Sequence, residues 1–136
     1  MILKMNFKRN GIIVFFLFVT VFSQGQNTST GYLAITSTAD SLFFGKEYQS
    51  ALNLYLKAFD LNNGLGKVGH RYRVAICWVV LNNYDSAFSQ LYRIATIGKF
   101  SGYEFITVDP NFNPLHDDNR WKPLIELIWQ NKKENQ

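Results

Sequence analysis

The sequence predicts an all-α protein, and three observations lead to this prediction. From Tyr32 onward the apolar side chains recur every three or four residues, which is the spacing of an amphipathic helix. No run that alternates apolar and polar residues, as a half-buried strand would, occurs in that part of the chain. The segment that begins at Glu47 is repeated 36 residues later, beginning at Asn83, and a period of this length is typical of stacked helix pairs.

The N-terminus predicts a secretory signal peptide. The basic stretch 4–9 is followed by the apolar run 11–22, which is too short for a transmembrane helix of roughly 20 residues. Small residues follow at Ser23 and Gly25, as a cleavage site requires. We therefore expect a mature protein that starts near Gln26, is periplasmic or secreted, and touches a membrane only before cleavage.

The charge balance depends on this N-terminal segment. Residues 1–25 contain three of the 14 Lys and Arg and none of the 10 Asp and Glu, so the mature part carries a formal charge of only +1. The basic pI therefore does not indicate nucleic-acid binding. The 111 residues that remain suffice for one domain. Cys77 is the sole cysteine and has apolar neighbours, so we expect a buried thiol and no intramolecular disulfide.

The repeated segment divides the mature chain into helix pairs. Tyr48, Ser50 and Ala51 align with Tyr84, Ser86 and Ala87, and large apolar residues follow in both copies. Asn62-Asn63-Gly64 and Gly98 end the second helix of each pair, because Asn and Gly tolerate the left-handed conformation after a helix. The predicted helices cover about 32–45, 47–61, 67–81 and 83–97.

Small side chains are expected where the paired helices approach each other. Ala39 faces Ala51 in the first pair, and Ala75 faces Ala87 in the second pair, again 36 residues later. In the tail, a short helical turn and a loop with two prolines precede a last helix, in which Trp121, Leu124, Ile125 and Ile128 share one face. The predicted segments are a signal peptide (1–25), a flexible lead-in (26–31), the first repeat (32–65), the second repeat (66–101), a C-terminal cap (102–133) and a frayed end (134–136).

The positions Tyr48, Ala51, Tyr55 and Ala58, with their counterparts in the second copy, resemble the tetratricopeptide repeat family. The tail from Asp109 to Trp121 resembles the Asp-Pro-x-Phe block that closes many bacterial arrays of this family. The resemblance covers roughly residues 32–130. It implies two antiparallel helix pairs that stack as a short right-handed solenoid, closed by a loop and a capping helix. The proline common after the second helix is absent from both copies, with Asn63 and Lys99 in its place.

The resemblance also implies a function, which is the binding of a protein or peptide partner in a groove formed by the first helices of the repeats. The Lys and Asn residues that family members use to hold an acidic chain end are missing from that groove. An equally open alternative is that residues 103–115 fill the groove. The expected groove residues are Leu33, Thr36, Asp40, Phe43, Tyr72, Ile76 and Val79.

No motif predicts catalysis, a cofactor or a metal. A calcium loop from Asp109 fails because Pro114 stands where Gly is needed and Arg120 where Glu is needed. The glycine-rich segment 64–69 lacks the Lys-Ser/Thr ending of a phosphate-binding loop. Arg120 is expected to pair with Asp109 or Asp117. The predicted function is a non-catalytic interaction module, with two alternatives: an accessory subunit of a separate secreted hydrolase, or a carrier of a small apolar ligand.

Overall fold

The computed structural model describes residues 30–136, and within them every regular element is a helix. The predicted signal peptide and most of the lead-in lie outside the described residues. Residues 30 and 31, predicted to end the lead-in, already belong to the first helix. The elements are α1 (30–44), α2 (Tyr48–Leu61), α3 (Val68–Val80), α4 (Tyr84–Thr96), α5 (Tyr103–Val108), the 3₁₀ helix η1 (Pro110–Leu115) and α6 (Trp121–Glu134).

The all-α class is thereby confirmed, and adjacent helices pack in pairs. The alanines expected at the helix contacts are fully buried, Ala39 and Ala51 in one core cluster and Ala75 and Ala87 in the other. A methyl group at these positions lets two helix backbones approach closely. The stacking of the pairs as a right-handed solenoid stays a prediction.

The turns between helices recur at the same 36-residue period. Lys46 after α1 and Asn82 after α3 both have positive φ, at 63° and 59°. The next residue in each copy, Glu47 or Asn83, donates its backbone N–H to a carbonyl five residues back, at 2.9 Å. These bonds satisfy carbonyl groups that the helix end leaves without a partner.

A second pair of left-handed residues follows α2 and α4. Asn63 has φ of 55° and Lys99 has φ of 49°, again 36 residues apart. These are the two positions at which the expected proline is missing. A proline fixes φ near −65°, so neither position could accommodate one in the conformation observed.

Helix α3 lies at the centre of the molecule because it contributes to both core clusters. Val74 and Cys77 pack with α1 and α2, whereas Tyr72, Ile76 and Val79 pack with α4 and the C-terminal segment. A helix buried on two sides needs apolar residues around most of its circumference, which the sequence Val-Ala-Ile-Cys-Trp-Val-Val provides.

The C-terminal segment closes the core beside α4. Phe112, Leu115 and Trp121 are buried in the cluster that contains Leu91 of α4. The end of α6 is held by Asn131, whose buried side-chain amide donates to the carbonyl oxygens of Ala95 and Phe100 at 2.7 and 3.0 Å. The cap is therefore part of the main core.

Over residues 30–136, none of the helices combines the length and apolar character needed to cross a bilayer.

Candidate functional site

The seven expected groove residues divide between buried and accessible positions. On α1, Leu33 is half exposed, and Asp40 and Phe43 are partly buried. The hydroxyl group of Thr36 donates to the carbonyl oxygen of Leu33 at 3.2 Å. The other groove residues lie in the core cluster that α3 shares with the cap. The fully buried members of the seven are Thr36, Tyr72, Ile76 and Val79.

Tyr72 is covered by the C-terminal segment. Its ring meets the edge of Phe112 at a centroid distance of 5.2 Å and lies 5.4 Å from Phe105. Its hydroxyl group donates to Asp109 Oδ2 at 2.7 Å. Burial and this hydrogen bond raise the pKa of Tyr72 well above its ordinary value. At this end of the expected groove, residues 105–112 occupy the space next to α3.

An apolar surface remains open beside this covered region. Phe44 on α1 is 69% exposed and lies 5.3 Å below the guanidinium group of Arg73 on α3. Phe105 on α5 is 62% exposed and contacts Tyr72, the neighbour of Arg73. Phe44 and Phe105 therefore flank the same stretch of α3. We call the side chains of Phe44, Arg73 and Phe105 the α1–α3–α5 surface.

Asp40 on α1 connects α1 to α2 and α3 through hydrogen bonds. It accepts hydrogen bonds from the hydroxyl group of Tyr55 on α2 and from Arg73 Nη1 on α3, the latter at 3.0 Å. Burial, followed by the bond to Asp40, raises the pKa of Tyr55 above its ordinary range. Asp40 is thus a structural junction whose charge is already matched by Arg73.

His70 lies between two tyrosine rings next to this junction. Its ring stacks on Tyr55 at 5.7 Å, and its Nδ1 is 2.7 Å from the hydroxyl oxygen of Tyr32. That oxygen also accepts the backbone N–H of Lys67 at 3.0 Å, and which of the two groups, hydroxyl or imidazole, donates in the Tyr32–His70 hydrogen bond depends on the imidazole tautomer. Burial lowers the pKa of His70, although Asp40 opposes the shift.

Cys77 is not an accessible nucleophile. Cys77 is fully buried, and burial raises the pKa of its thiol to about 12, so the thiolate is not formed near neutral pH. In the described part of the chain no three His, Cys, Asp or Glu residues are grouped so that they could hold a metal ion.

A second open feature is a groove along α6. It has a volume of about 480 Å³, and the rings of Tyr103 and Trp129 meet in it at a centroid distance of 4.9 Å. Both side chains are partly buried. Trp121, Ile125 and Trp129 follow one another at intervals of four residues on α6, which places them on one face of the helix, and this signal was available in the sequence. Lys122 and Glu126 line the same groove.

The prediction that Arg120 pairs with Asp109 or Asp117 is wrong. Its guanidinium group binds both carboxylate oxygens of Asp118 at 2.9 and 2.7 Å and also binds Asp85 of α4 at 2.7 Å. These bonds hold the pKa of Asp118 down to about 2. Asp109 is unavailable to Arg120 because it bonds to Tyr72. Asp85 lies 35 residues from Arg120, and no local pattern indicates that pairing.

No protein-family model, no curated protein and no solved structure matches this chain.

Proposed function

We propose that this chain is an exported, non-catalytic interaction module of the tetratricopeptide-repeat type that binds a protein partner through the α1–α3–α5 surface. The repeat assignment is supported by the two helix pairs and by the left-handed residues that recur at a period of 36 residues, Lys46 with Asn82 and Asn63 with Lys99. A partner protein would extend the stack of helices laterally or lie across it.

The observation that carries the proposal is the exposure of Phe44 and Phe105 on both sides of α3. Fully burying an aromatic side chain of this size contributes about 1.5–3 kcal/mol. The ring of Phe44, with the guanidinium group of Arg73 over it, and the ring of Phe105, which lies against Tyr72, make a surface that an apolar or aromatic residue of a partner can cover. Arg73 is held in place by Asp40, so its side chain loses little freedom on binding.

The test is affinity purification of the full chain, tagged at its C-terminus, from its own cells, followed by mass spectrometry. We expect one dominant protein to be retained by the wild type and lost by the double variant Phe44→Ser and Phe105→Ser. Leu61→Ser is the matched control, since Leu61 is exposed at the end of α2. Equal retention by the double variant, with an unchanged circular dichroism spectrum, would contradict this function.

The identity of the retained protein also decides the accessory-subunit alternative. A hydrolase that is retained by the wild type and released by the double variant would make this chain its subunit. Any other single partner would favour an adaptor.

The α6 groove favours a second function, the carriage of a small apolar ligand. Its volume of about 480 Å³ lies within the range of roughly 300–1,000 Å³ of ligand pockets, and aromatic rings form much of its wall. Organic extraction of the purified chain, followed by mass spectrometry, tests this. A bound compound that is present in the wild type and absent from Trp129→Ser would support a carrier, and an empty wild-type extract would oppose it.

A further inference from the structure

Arg71 is a buried cation that has no ion-pair partner among residues 30–136. Its side chain is 7% exposed, and it lies near the start of α3. Its Nη1 donates to Gln90 Oε1 at 2.7 Å, its Nη2 donates to the carbonyl oxygen of Gly64 at 2.5 Å, and its guanidinium carbon lies 4.5 Å above the ring of Phe59. All three partners are neutral. Within residues 30–136 no carboxylate forms an ion pair with it.

A charge in this position is unfavourable unless an opposite charge accompanies it. Removing a guanidinium group from water costs several kcal/mol, and neutral hydrogen-bond acceptors recover only part of that free energy. Burial lowers the pKa of Arg71, and the positive charge of Arg93 lowers it further. Two other partly buried arginines differ from Arg71 because each has a carboxylate partner. Arg73 pairs with Asp40, and Arg120 pairs with Asp118.

Arg93 brings a second positive charge to the same place. It lies in the last turn of α4, three residues after Gln90, and its side chain forms neither a hydrogen bond nor an ion pair within the described range. Arg71 and Arg93 both line a small cavity of about 80 Å³. Leu65, Val68 and Ile97 complete its apolar wall.

The backbone around this cavity is tightly fitted. A Cβ atom at Gly66 would overlap the ring of Phe59, the same ring that lies below the guanidinium group of Arg71. A Cβ atom at Gly98 would lie 2.8 Å from Val68 Cγ2. Both glycines line the cavity, so a side chain at either position would displace neighbouring atoms of its wall or support.

We propose that Arg71 and Arg93 form a binding site for one oxyanion of the phosphate type. Two guanidinium groups from different helices match a doubly charged tetrahedral anion, each binding separate oxygen atoms, whereas a single carboxylate is satisfied by one planar guanidinium fork. The cavity volume equals that of only a few water molecules, so one such group fits and a larger polar ligand does not. This site is independent of the α1–α3–α5 surface, and its ligand also supplies the missing counter-charge for Arg71.

The test is a titration of the full chain with inorganic phosphate at constant ionic strength, followed by isothermal calorimetry and by thermal unfolding. We expect saturable binding of one phosphate and a rise of the melting temperature. Arg93→Gln should weaken binding at least tenfold without altering the fold, because Arg93 is exposed and makes no other side-chain bond within residues 30–136. Lys57→Gln, which removes an exposed cation from α2, should leave binding unchanged.

Three outcomes would overturn the proposal. The first is no saturable binding by the wild type. The second is an equal rise of the melting temperature in Arg93→Gln, which would identify the general stabilisation that phosphate gives to folded proteins. The third is equal weakening by Lys57→Gln, which would identify non-specific attraction.

Phenyl phosphate distinguishes two sources of the anion. Tighter binding of phenyl phosphate than of inorganic phosphate, lost in Leu65→Ser, would support a phosphate ester whose apolar part lies on Leu65 and Ile97, both exposed at the cavity. Equal or tighter binding of inorganic phosphate would support the free anion. Loss of both ligands in Arg93→Gln is expected in either case.

Discussion

The hydroxyl group of Tyr72 donates a 2.7 Å hydrogen bond to Asp109, and this bond joins α3 to the residue that begins η1. Asp109 also accepts the backbone N–H of Asn111 at 2.9 Å, so one carboxylate both starts the 3₁₀ helix and anchors it to the centre of the core. The closure of the expected groove at this end therefore depends on this pair.

Replacement of Tyr72 by Phe tests this connection. The ring contacts with Phe105 and Phe112 remain, but the bond to a charged acceptor is lost, so we expect the free energy of unfolding to fall by about 1.5–3 kcal/mol. Urea unfolding measures the change. Tyr84→Phe is the control, because the Tyr84 hydroxyl forms no hydrogen bond within the described part of the chain, and a loss of equal size there would contradict the assignment.

Replacement of Ala87 by Leu tests the close contact within the second helix pair. Ala87 is fully buried, and a larger side chain has to displace neighbouring atoms, so we expect a loss of about 1–3 kcal/mol. Ser89→Leu, which places the same side chain on the exposed face of α4, should change the stability little. Thermal or urea unfolding compares the two, and equal stabilities would show that the helices are not closely packed at Ala87.

Replacement of Lys99 by Gly should stabilise the protein. Lys99 has φ of 49°, a conformation that costs an L-residue roughly 1–2 kcal/mol and costs glycine almost nothing. We expect a gain of about 1 kcal/mol, reduced by the greater freedom of glycine in the unfolded chain. Lys57→Gly in the middle of α2 should instead lower the free energy of unfolding by about 1 kcal/mol. Both variants lose one positive charge, so opposite changes in stability would show that the turn geometry at Lys99 is the cause.

Replacement of Asn131 by Leu tests the tie between α6 and the end of α4. The buried amide of Asn131 donates to the carbonyl oxygens of Ala95 and Phe100, and leucine leaves both acceptors unsatisfied. We expect a loss of about 2–4 kcal/mol from two hydrogen bonds. Gln130→Leu, on the exposed face of α6, is the control, and similar stability of the two variants would contradict this role.

The lowered pKa of His70 predicts that stability decreases in mild acid. The unfolded chain binds a proton at His70 near pH 6.5, whereas the folded protein resists it, so the unfolded state carries more bound protons below that pH. The neutral His70 therefore contributes its full share of the free energy of unfolding above about pH 6.5. That contribution is lost as the pH falls from 6.5 toward the lower pKa of His70 in the folded protein. The groups that face His70 are Tyr32, Tyr55, Asp40, Arg73 and Lys67.

Urea unfolding between pH 5 and pH 8 measures this dependence. We expect a smaller slope of stability against pH in His70→Gln than in the wild type. His116→Gln measures the contribution of the other histidine of residues 30–136. An unchanged slope in His70→Gln would contradict a lowered pKa at His70.

The sequence predicted the helices well because their signals are local. All four main helices end, and α2, α3 and α4 begin, within two residues of the expected positions. The burial of Cys77 was predicted from its apolar neighbours, and that of the four paired alanines from their small size and their positions in the 36-residue repeat. The partners of Arg120 were predicted wrongly for the opposite reason, since Asp85 reaches Arg120 only after α4 and the cap have packed together.

The candidate sites show the same division. The sequence located the expected groove on α1 and α3, and Leu33 and Asp40 are accessible there, but it left open whether residues 103–115 fill the rest. The contacts of Tyr72 with Phe112 and Asp109 show that the expected groove is covered at the end where Tyr72 lies. The cavity between Arg71 and Arg93 could not be predicted, because those residues are 22 positions apart on different helices and no motif relates them.

The sequence by itself determined the helical class, the period of 36 residues and the positions of the turns, because apolar spacing, glycine and asparagine act over a few neighbouring residues. Only the tertiary structure decided which face of α3 is covered and which aromatic rings stay exposed. It also decided that Arg71 and Arg93, which form no ion pair within residues 30–136, meet at one cavity. These outcomes depend on how separate helices pack, and packing brings together residues whose distance along the chain carries no information about their distance in space.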